Sequence, residues 1–120
     1  MNTSIYAVTF DCEDAAKLAE FWSQVLDKPV DGDASADFAS IGLNEQTSAR
    51  PYMMFTKVPE GKTAKNRLHL DLTSADLEGT VRRLVSLGAR KGKEFTESGF
   101  HWVTLTDPEG NEFDVIAEQT

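Results

Sequence analysis

A weak internal repeat is the feature that most constrains the fold of this chain. When the 120-residue sequence is shifted by 62 positions, its two halves fall into register, so that Asp14 aligns with Asp76 and Phe38 with Phe100. Identity between the halves is slight, but the order of patterns is the same: a strand, an amphipathic helix and three short strands. We therefore predict two successive βαβββ modules.

The strands of both modules are predicted from short apolar or alternating runs bounded by turn residues. The first strands are expected at residues 5–10 and 68–72. The remaining strands are expected at residues 29–32, 38–43 and 52–58 in module one, and at residues 89–95, 100–106 and 112–117 in module two. The sequence thus predicts eight strands.

One helix per module follows its first strand. A capping residue lies three positions before an acid in each module, at Asp11 and Asp14 and again at Thr73 and Asp76, and the second pair is a capping-box pattern. Apolar side chains then recur at the i, i+3, i+4 spacing of a helix that packs on a sheet. Gly88 predicts a left-handed end for the second helix, and residues 28–29 end the first.

The two modules are expected to form a single domain. We assign module one to residues 1–58, a polar linker to residues 59–66 and module two to residues 67–120. Neither half contains enough apolar residues for a core of its own, so the modules should pair into one curved, eight-stranded mixed sheet of an α+β protein. The helices would cover its outer face, and a cavity would open on its inner face.

Composition narrows the classes of partner. A net charge of −8 disfavours nucleic acid and anionic membrane surfaces, and no apolar run approaches the roughly 20 residues needed to span a bilayer. Residues 1–10 lack the pattern of a secretory signal, and Cys12 is the only cysteine, so we expect a reducing, cytoplasmic setting. A small molecule is the expected partner.

Several segments together resemble the vicinal oxygen chelate superfamily, which contains glyoxalases, bleomycin resistance proteins and dioxygenases. The resemblance lies in the first helix with Phe21-Trp22, in residues 67–72, in the helix exit at residues 87–89 and in the closing hairpin at residues 102–113. It covers nearly the whole chain and is greatest for the small glyoxalase-like domain proteins. It implies the tandem βαβββ fold, and for the enzymes of the superfamily it implies lyase or dioxygenase chemistry.

The resemblance also implies where a metal would bind. Superfamily enzymes hold a divalent metal with His, Glu or Gln side chains from the first and fourth strands of each module, and the metal polarises adjacent substrate oxygens. These positions fall on Ala7, His69 and Asp114, and on Tyr52 or, if the pairing slips by two residues, Met54. Only His69 and Asp114 could bind Zn, Ni, Mn or Fe. The predicted metal set is therefore incomplete.

Two residues could complete this set, and a metal-free role is also open. Asp71 or Glu112, or a second chain, could add a ligand. Because side chains alternate along a strand, His69 and Asp71 should share a face. An acid beside the imidazole could orient it for acid–base catalysis without any metal, and Asp114 could act as base, ligand or lining residue.

Further residues are candidates for lining a ligand pocket. Tyr52 and Met54 share a face of one strand and could line a pocket for a planar or apolar ligand, together with Ala7. Asp71 and Trp102 complete the predicted pocket. Because His101 and Trp102 are adjacent on one strand, they point to opposite faces, and the sequence leaves open which of them faces the cavity.

Three functions are compatible with these residues. The leading hypothesis is a small-molecule protein that binds or sequesters an apolar or aromatic compound, with His69 and Asp114 supplying acid–base chemistry. The alternative is a divalent-metal-dependent lyase or dioxygenase. A third is a regulatory or dimerisation module, in which exposed sheet edges pair two copies into a homodimer.

Overall fold

The computed structural model describes residues 2–44 and 50–119. Its elements follow the predicted order, with the second strand of the first module absent. They are β1 (Ala7–Cys12), α1 (Ala15–Leu26), β2 (Phe38–Ile41), β3 (Tyr52–Lys57), β4 (Asp71–Ser74), α2 (Leu77–Leu87), β5 (Arg90–Glu97), β6 (Phe100–Thr106) and β7 (Glu112–Ala117). The chain divides into two compact units, Met1–Gly61 and Lys62–Thr120. The boundary falls within the segment predicted as a linker, and each unit is described by itself.

Unit one is a three-stranded mixed sheet with α1 packed against it. The strand order is β1-β3-β2, with β1 parallel and β2 antiparallel to β3. The ring of Trp22 on α1 lies 5.5 Å from that of Phe10 on β1, and Phe10 stacks on Phe55 of β3 at 5.2 Å. Trp22 and Phe55 are fully buried. These aromatic contacts form the centre of the first core.

Unit two is a four-stranded mixed sheet in the order β4-β7-β6-β5. Its first and last strands, β4 and β7, are parallel neighbours, whereas the other pairs are antiparallel. Alternate residues of β6 and β7 are buried together with apolar residues of α2. These buried residues are Val103, Leu105, Phe113, Val115, Leu77, Val81 and Leu84. Because side chains alternate across a strand, the residues between them lie on the opposite face of the sheet.

The helix starts differ from the prediction. The N-cap residues are Asp14 and Asp76, whose carboxylates accept from the backbone N–H of Lys17 and Gly79 at 3.1 and 3.0 Å. The predicted caps, Asp11 and Thr73, are instead strand residues, so the capping-box prediction is wrong. An aspartate at the N-cap accepts from a backbone N–H that lacks a partner within the helix, and it complements the positive end of the helix dipole. Because the helices start later than predicted, strands β1 and β4 end two residues later than expected.

The helix ends are as predicted. Helix α1 ends just before Lys28-Pro29 with Asp27 in the left-handed conformation, φ 54°. Helix α2 ends at Gly88, whose φ of 121° is readily reached only without a side chain. Within the described residues, neither helix is long and apolar enough to cross a membrane.

The predicted strand at residues 29–32 is reduced to one bridge, between Val30 and Ile41. The Asp31 carboxylate accepts from the Ser40 hydroxyl at 2.6 Å and from the backbone N–H of Leu43 at 2.9 Å, which closes a loop instead of extending a ladder. The described residues therefore contain seven strands in sheets of three and four, rather than eight. The α+β class and the mixed parallel and antiparallel pairing are confirmed.

Candidate functional site

Three ionisable side chains converge at one edge of the second sheet. The Nε2 atom of His69 lies 3.2 Å from Oδ1 of Asp71 and 3.3 Å from Oδ2 of Asp114. One donor atom from each residue lies within 4.8 Å of the other two. The His69 and Asp71 side chains are 40% and 52% exposed, whereas that of Asp114 is 16% exposed. We call these three residues the trio. His69 and Asp71 are open to solvent, whereas Asp114 is largely shielded from it.

Strand register explains why the trio forms. Asp71 and Asp114 are direct neighbours on the parallel strands β4 and β7, so their side chains point to the same face. His69 lies two residues before Asp71, just ahead of the strand. The first backbone bond between these segments runs from the Asp114 N–H to the Leu70 carbonyl at 3.0 Å. The side chains of His69 and Asp71 thus lie on the same face, as expected, at the start of the pairing between β4 and β7.

Thr104 orients the Asp114 carboxylate. It is the cross-strand neighbour of Asp114 on β6, and its hydroxyl donates to Asp114 Oδ1 at 2.6 Å. This bond holds one carboxylate oxygen and leaves the other, Oδ2, beside His69. Sequence reasoning missed Thr104. The register of the closing hairpin is the signal that could have identified it, because counting back from the turn places it opposite Asp114.

The closing turn fixes that register. Asp107 is 2% exposed, and its carboxylate accepts from the backbone N–H groups of Glu109 and Asn111 at 2.9 and 3.0 Å and from the Asn111 side chain. Gly110 occupies a left-handed position with φ 86°. Thr106 then pairs with Glu112, which brings Thr104 opposite Asp114. The turn is thereby coupled to the geometry of the site.

Glu112, proposed from the sequence as a further ligand, is held elsewhere. Its carboxylate accepts from the backbone N–H of Asn66 at 3.2 Å and lies 3.2 Å from the Lys62 ammonium. Burial acts to raise the pKa of this carboxyl, but hydrogen bonds from the backbone N–H groups of Asn66 and Glu112, and the Lys62 charge, outweigh it. The pKa of Glu112 therefore lies below its ordinary value of 4.5. Of the two proposed additional ligands, only Asp71 joins His69 and Asp114.

Trp102, not His101, shares the face of the trio. Trp102 lies two residues before Thr104 on β6 and stacks on Phe95 of β5, with ring centres 5.2 Å apart. His101 points to the helix side, where its Nε2 lies 2.6 Å from the Glu94 carboxylate. There it lines a groove of about 460 Å³ between α2 and the sheet. Trp102 is therefore the residue on the face of the trio, and its role in lining a ligand cavity stays a prediction.

The predicted pocket residues Ala7, Tyr52 and Met54 all belong to unit one. Ala7 pairs with Tyr52, which is buried and contacts Tyr6 edge-to-face at 5.3 Å. Met54 pairs with Thr9. Their role as lining residues stays a prediction, as does the homodimer.

The register also identifies which residue of unit one corresponds to Asp114. A shift of 62 places Thr9 on Asp71. Thr9 pairs with Met54, and Asp71 pairs with Asp114. Met54 is therefore the counterpart of Asp114, which corresponds to the slip of two residues. In unit one, Ala7, Thr9 and Met54 occupy the positions of the trio and offer no imidazole or carboxylate.

A family model described as a glyoxalase-like domain matches residues 7–116, which is most of the chain. The chain belongs to the glyoxalase-like domain family. A search of curated proteins gave no match for this glyoxalase-like domain. The resemblance inferred from the helix, strand and hairpin motifs is thus confirmed.

Solved structures share the fold at low sequence identity. A glyoxalase/bleomycin resistance protein/dioxygenase family enzyme from Burkholderia phytofirmans PsJN matches with a TM-score of 0.77 and 16% identity, covering 96% of this chain and 98% of that one. A lactoylglutathione lyase from Agrobacterium tumefaciens matches with a TM-score of 0.66 and 13% identity over 98% and 95% of the chains.

A third similar structure contains a metal. It is a variant of the fosfomycin resistance protein FosX from Listeria monocytogenes, complexed with Mn(II) and 1S,2S-dihydroxypropylphosphonic acid. Its TM-score is 0.71 at 11% identity, and the match covers 96% of this glyoxalase-like domain and 90% of that chain. At these identities the likeness establishes the fold alone.

Proposed function

We propose that this glyoxalase-like domain binds a divalent metal ion through His69, Asp71 and Asp114, and that it uses this centre to act on a small oxygen-bearing organic molecule. The observation that carries the proposal is the convergence of one imidazole nitrogen and two carboxylates in unit two. This arrangement favours the metal-dependent alternative over the incomplete set inferred from the sequence, because Asp71 adds a third donor.

Electrostatics supports a cation at this position. Two carboxylates beside one nitrogen repel each other, and a neutral imidazole can donate only one proton from Nε2. A positive ion relieves the repulsion of both acids. The donor separations of 3.2 and 3.3 Å also suit atoms that each lie about 2.0–2.2 Å from a shared ion. A nitrogen–carboxylate donor set is compatible with Mn²⁺, Fe²⁺, Ni²⁺ and Zn²⁺.

The surrounding side chains indicate what would bind beside such an ion. A bound divalent metal polarises a ligand oxygen and stabilises the negative charge that develops on it. Thr104 holds Asp114 so that Oδ2 stays directed at the centre. On the same face, the stacked rings of Phe95 and Trp102 offer a flat apolar surface. We therefore propose a ligand with an oxygen-bearing head and an apolar or planar body.

A second candidate function is metal-free binding or sequestration. It is favoured by the lack of an imidazole or carboxylate at Ala7, Thr9 and Met54, the counterparts of the trio in unit one. In that case His69 and Asp114 would act on the bound compound by acid–base chemistry, with Asp71 orienting the imidazole. The apolar or aromatic ligand would be the same in both proposals.

Calorimetric titration of chelator-treated protein with Mn²⁺, Zn²⁺, Ni²⁺ and Fe²⁺ separates the two candidates. We expect micromolar or tighter binding of one equivalent, which His69→Ala abolishes. His101→Ala is the matched control, since His101 is similarly exposed and also lies against a carboxylate. Absence of stoichiometric binding, or equal loss in both variants, would overturn the metal proposal.

Assays on three substrate classes then test the reaction. Hemithioacetals test lyase activity, catechols test dioxygenase activity, and fosfomycin tests the substrate named for the FosX relative. Turnover of one class by the metal-loaded protein, lost in His69→Ala, supports the enzyme proposal. Binding without turnover by the metal-free protein supports sequestration.

A further inference from the structure

We infer that Asn66 is a positioning residue that holds His69 beside the two carboxylates. The inference rests on the proposed role of the trio as a ligand-binding centre, but it can be tested without metal. His69 precedes β4 and therefore lies outside the hydrogen-bond ladder that fixes Asp71 and Asp114. Something other than the sheet must define the position of its backbone.

The Asn66 side chain replaces a strand residue at the end of this ladder. Its Oδ1 accepts from the Glu112 backbone N–H at 2.8 Å, and its Nδ2 donates to the Glu112 carbonyl at 3.2 Å. Two residues further along β7, the Asp114 N–H donates to the Leu70 carbonyl at 3.0 Å. In parallel sheets such bonds recur every second residue. The Asn66 carboxamide thus continues the row of bonds by one position. We call its two hydrogen bonds to the Glu112 backbone the Asn66 bracket.

The bracket confines the segment that carries His69. Only Arg67, Leu68 and His69 lie between Asn66 and the first ladder bond at Leu70. We call residues 67–69 the arch. Leu68 is 88% exposed, so packing does little to hold the arch in place. Asn66 Nδ2, however, also donates to the Leu68 carbonyl. Both ends of the arch are therefore tied to β7. Because β7 also carries Asp114, one strand sets the imidazole and the carboxylate relative to each other.

Lys62 and Glu112 strengthen the bracket from outside. The Lys62 ammonium lies 3.2 Å from the Glu112 carboxylate and donates to the Ala64 carbonyl. The Asn66 backbone N–H donates to the same carboxylate at 3.2 Å. These contacts fix the chain that leads into Asn66. The carboxamide is the element whose removal should release His69 directly.

The test compares Asn66→Ala with the wild type by long-range ¹H–¹⁵N NMR of the imidazole rings. The chain contains two histidines, so His101, on the other face, is an internal reference. We expect the His69 nitrogen signals to shift or broaden while those of His101 stay unchanged. Zn²⁺ affinity should also fall about 10- to 100-fold, as for other residues that orient metal ligands. Unchanged His69 signals would overturn the inference, and so would an unchanged affinity for Zn²⁺ in Asn66→Ala where the wild type binds the ion.

Val81→Ala is the control for a merely structural effect. Val81 is buried on α2 and lines the groove on the helix side of the sheet, opposite the face that carries the trio, so its truncation should destabilise unit two without moving His69. If it perturbs His69 as strongly as Asn66→Ala does, the inference is overturned. If the wild type binds no metal but Asn66→Ala still perturbs His69 alone, the inference stands and the metal proposal fails.

Discussion

The side chains of His69 and Asp114 are far apart in sequence, yet His69 Nε2 lies 3.3 Å from Asp114 Oδ2. Two separate features produce this proximity: the parallel pairing of β4 with β7, and the arch that precedes β4. Neither residue is deeply buried, so the geometry is set by backbone hydrogen bonds and by Thr104 rather than by core packing.

Removing the Thr104 hydroxyl should loosen Asp114. In Thr104→Val the Oδ1 atom of Asp114 loses its donor, so we expect metal affinity to fall about 10-fold and the free energy of unfolding to fall by about 1 kcal/mol. Calorimetry and urea unfolding measure the two effects. Thr106→Val, on the same strand and face, is the control; equal losses in both variants would contradict a specific role for Thr104.

Trp102 should govern ligand affinity without affecting the metal. Trp102→Ala removes the ring that stacks on Phe95, so we expect binding of a catechol probe to weaken about 10-fold, consistent with the loss of one aromatic contact. Metal affinity should stay unchanged because Trp102 offers no ligand atom. Phe100→Ala, at an exposed position outside the trio, is the control. Unchanged catechol affinity in Trp102→Ala would contradict the proposed apolar surface.

Glu112 should make the stability depend on pH. Because its pKa is lowered in the folded protein, the ionised form is stabilised. This contribution is present above the unfolded-state pKa, near 4.5, and is lost as the pH falls through the lower folded-state pKa. The difference in unfolding free energy between wild type and Glu112→Gln should thus be largest near neutral pH and shrink below pH 4.5.

Urea unfolding at a series of pH values measures that difference. In a Lys62→Met background, the difference between the protein with Glu112 and its Glu112→Gln variant should be smaller but still present, since the Lys62 ammonium is one of several groups that lower the Glu112 pKa. A difference that is independent of pH, or that grows toward acid, would contradict this account of Glu112.

The closing turn should be a large local contributor to stability. Asp107→Ala leaves the N–H groups of Glu109 and Asn111 without their acceptor, and each unsatisfied group costs about 1–3 kcal/mol when it is shielded from water. We expect a loss of at least about 1 kcal/mol in urea unfolding, together with weaker metal binding because the hairpin register is disturbed. Glu118→Ala, a substitution at an exposed position after β7, provides the comparison. A similar loss of unfolding free energy in that variant would contradict a specific contribution of the Asp107 turn to stability.

The regular parts of the fold were predictable because they depend on local patterns. The bounds of β6 and β7 agree with the sequence prediction, since a five-residue turn with Asp107 and Gly110 separates two alternating runs. The repeat correctly predicted two successive units that each pack one helix on a mixed sheet, although unit one has three strands instead of the predicted four. The strand predicted at residues 29–32 is reduced to one bridge, because the Asp31 carboxylate, rather than a neighbouring strand, accepts from the backbone N–H of Leu43. Side-chain competition of this kind leaves no periodic signal.

The site was predictable only in part, for a related reason. Alternation along one strand was enough to place His69 and Asp71 on a common face, and the family resemblance identified Asp114. Thr104 and Asn66 were missed because each acts across strands, where the register decides which groups meet. The same register shows that Met54, rather than Tyr52, corresponds to Asp114.

The central claim is that His69, Asp71 and Asp114 hold one divalent ion. An anomalous difference map from crystals grown with Mn²⁺ tests it most directly. We predict a single peak bonded to His69 Nε2 and to one carboxylate oxygen of each aspartate, at about 2.0–2.2 Å. A map with no peak at this position, in which His69 Nε2 still contacts the two carboxylates directly, would contradict the account.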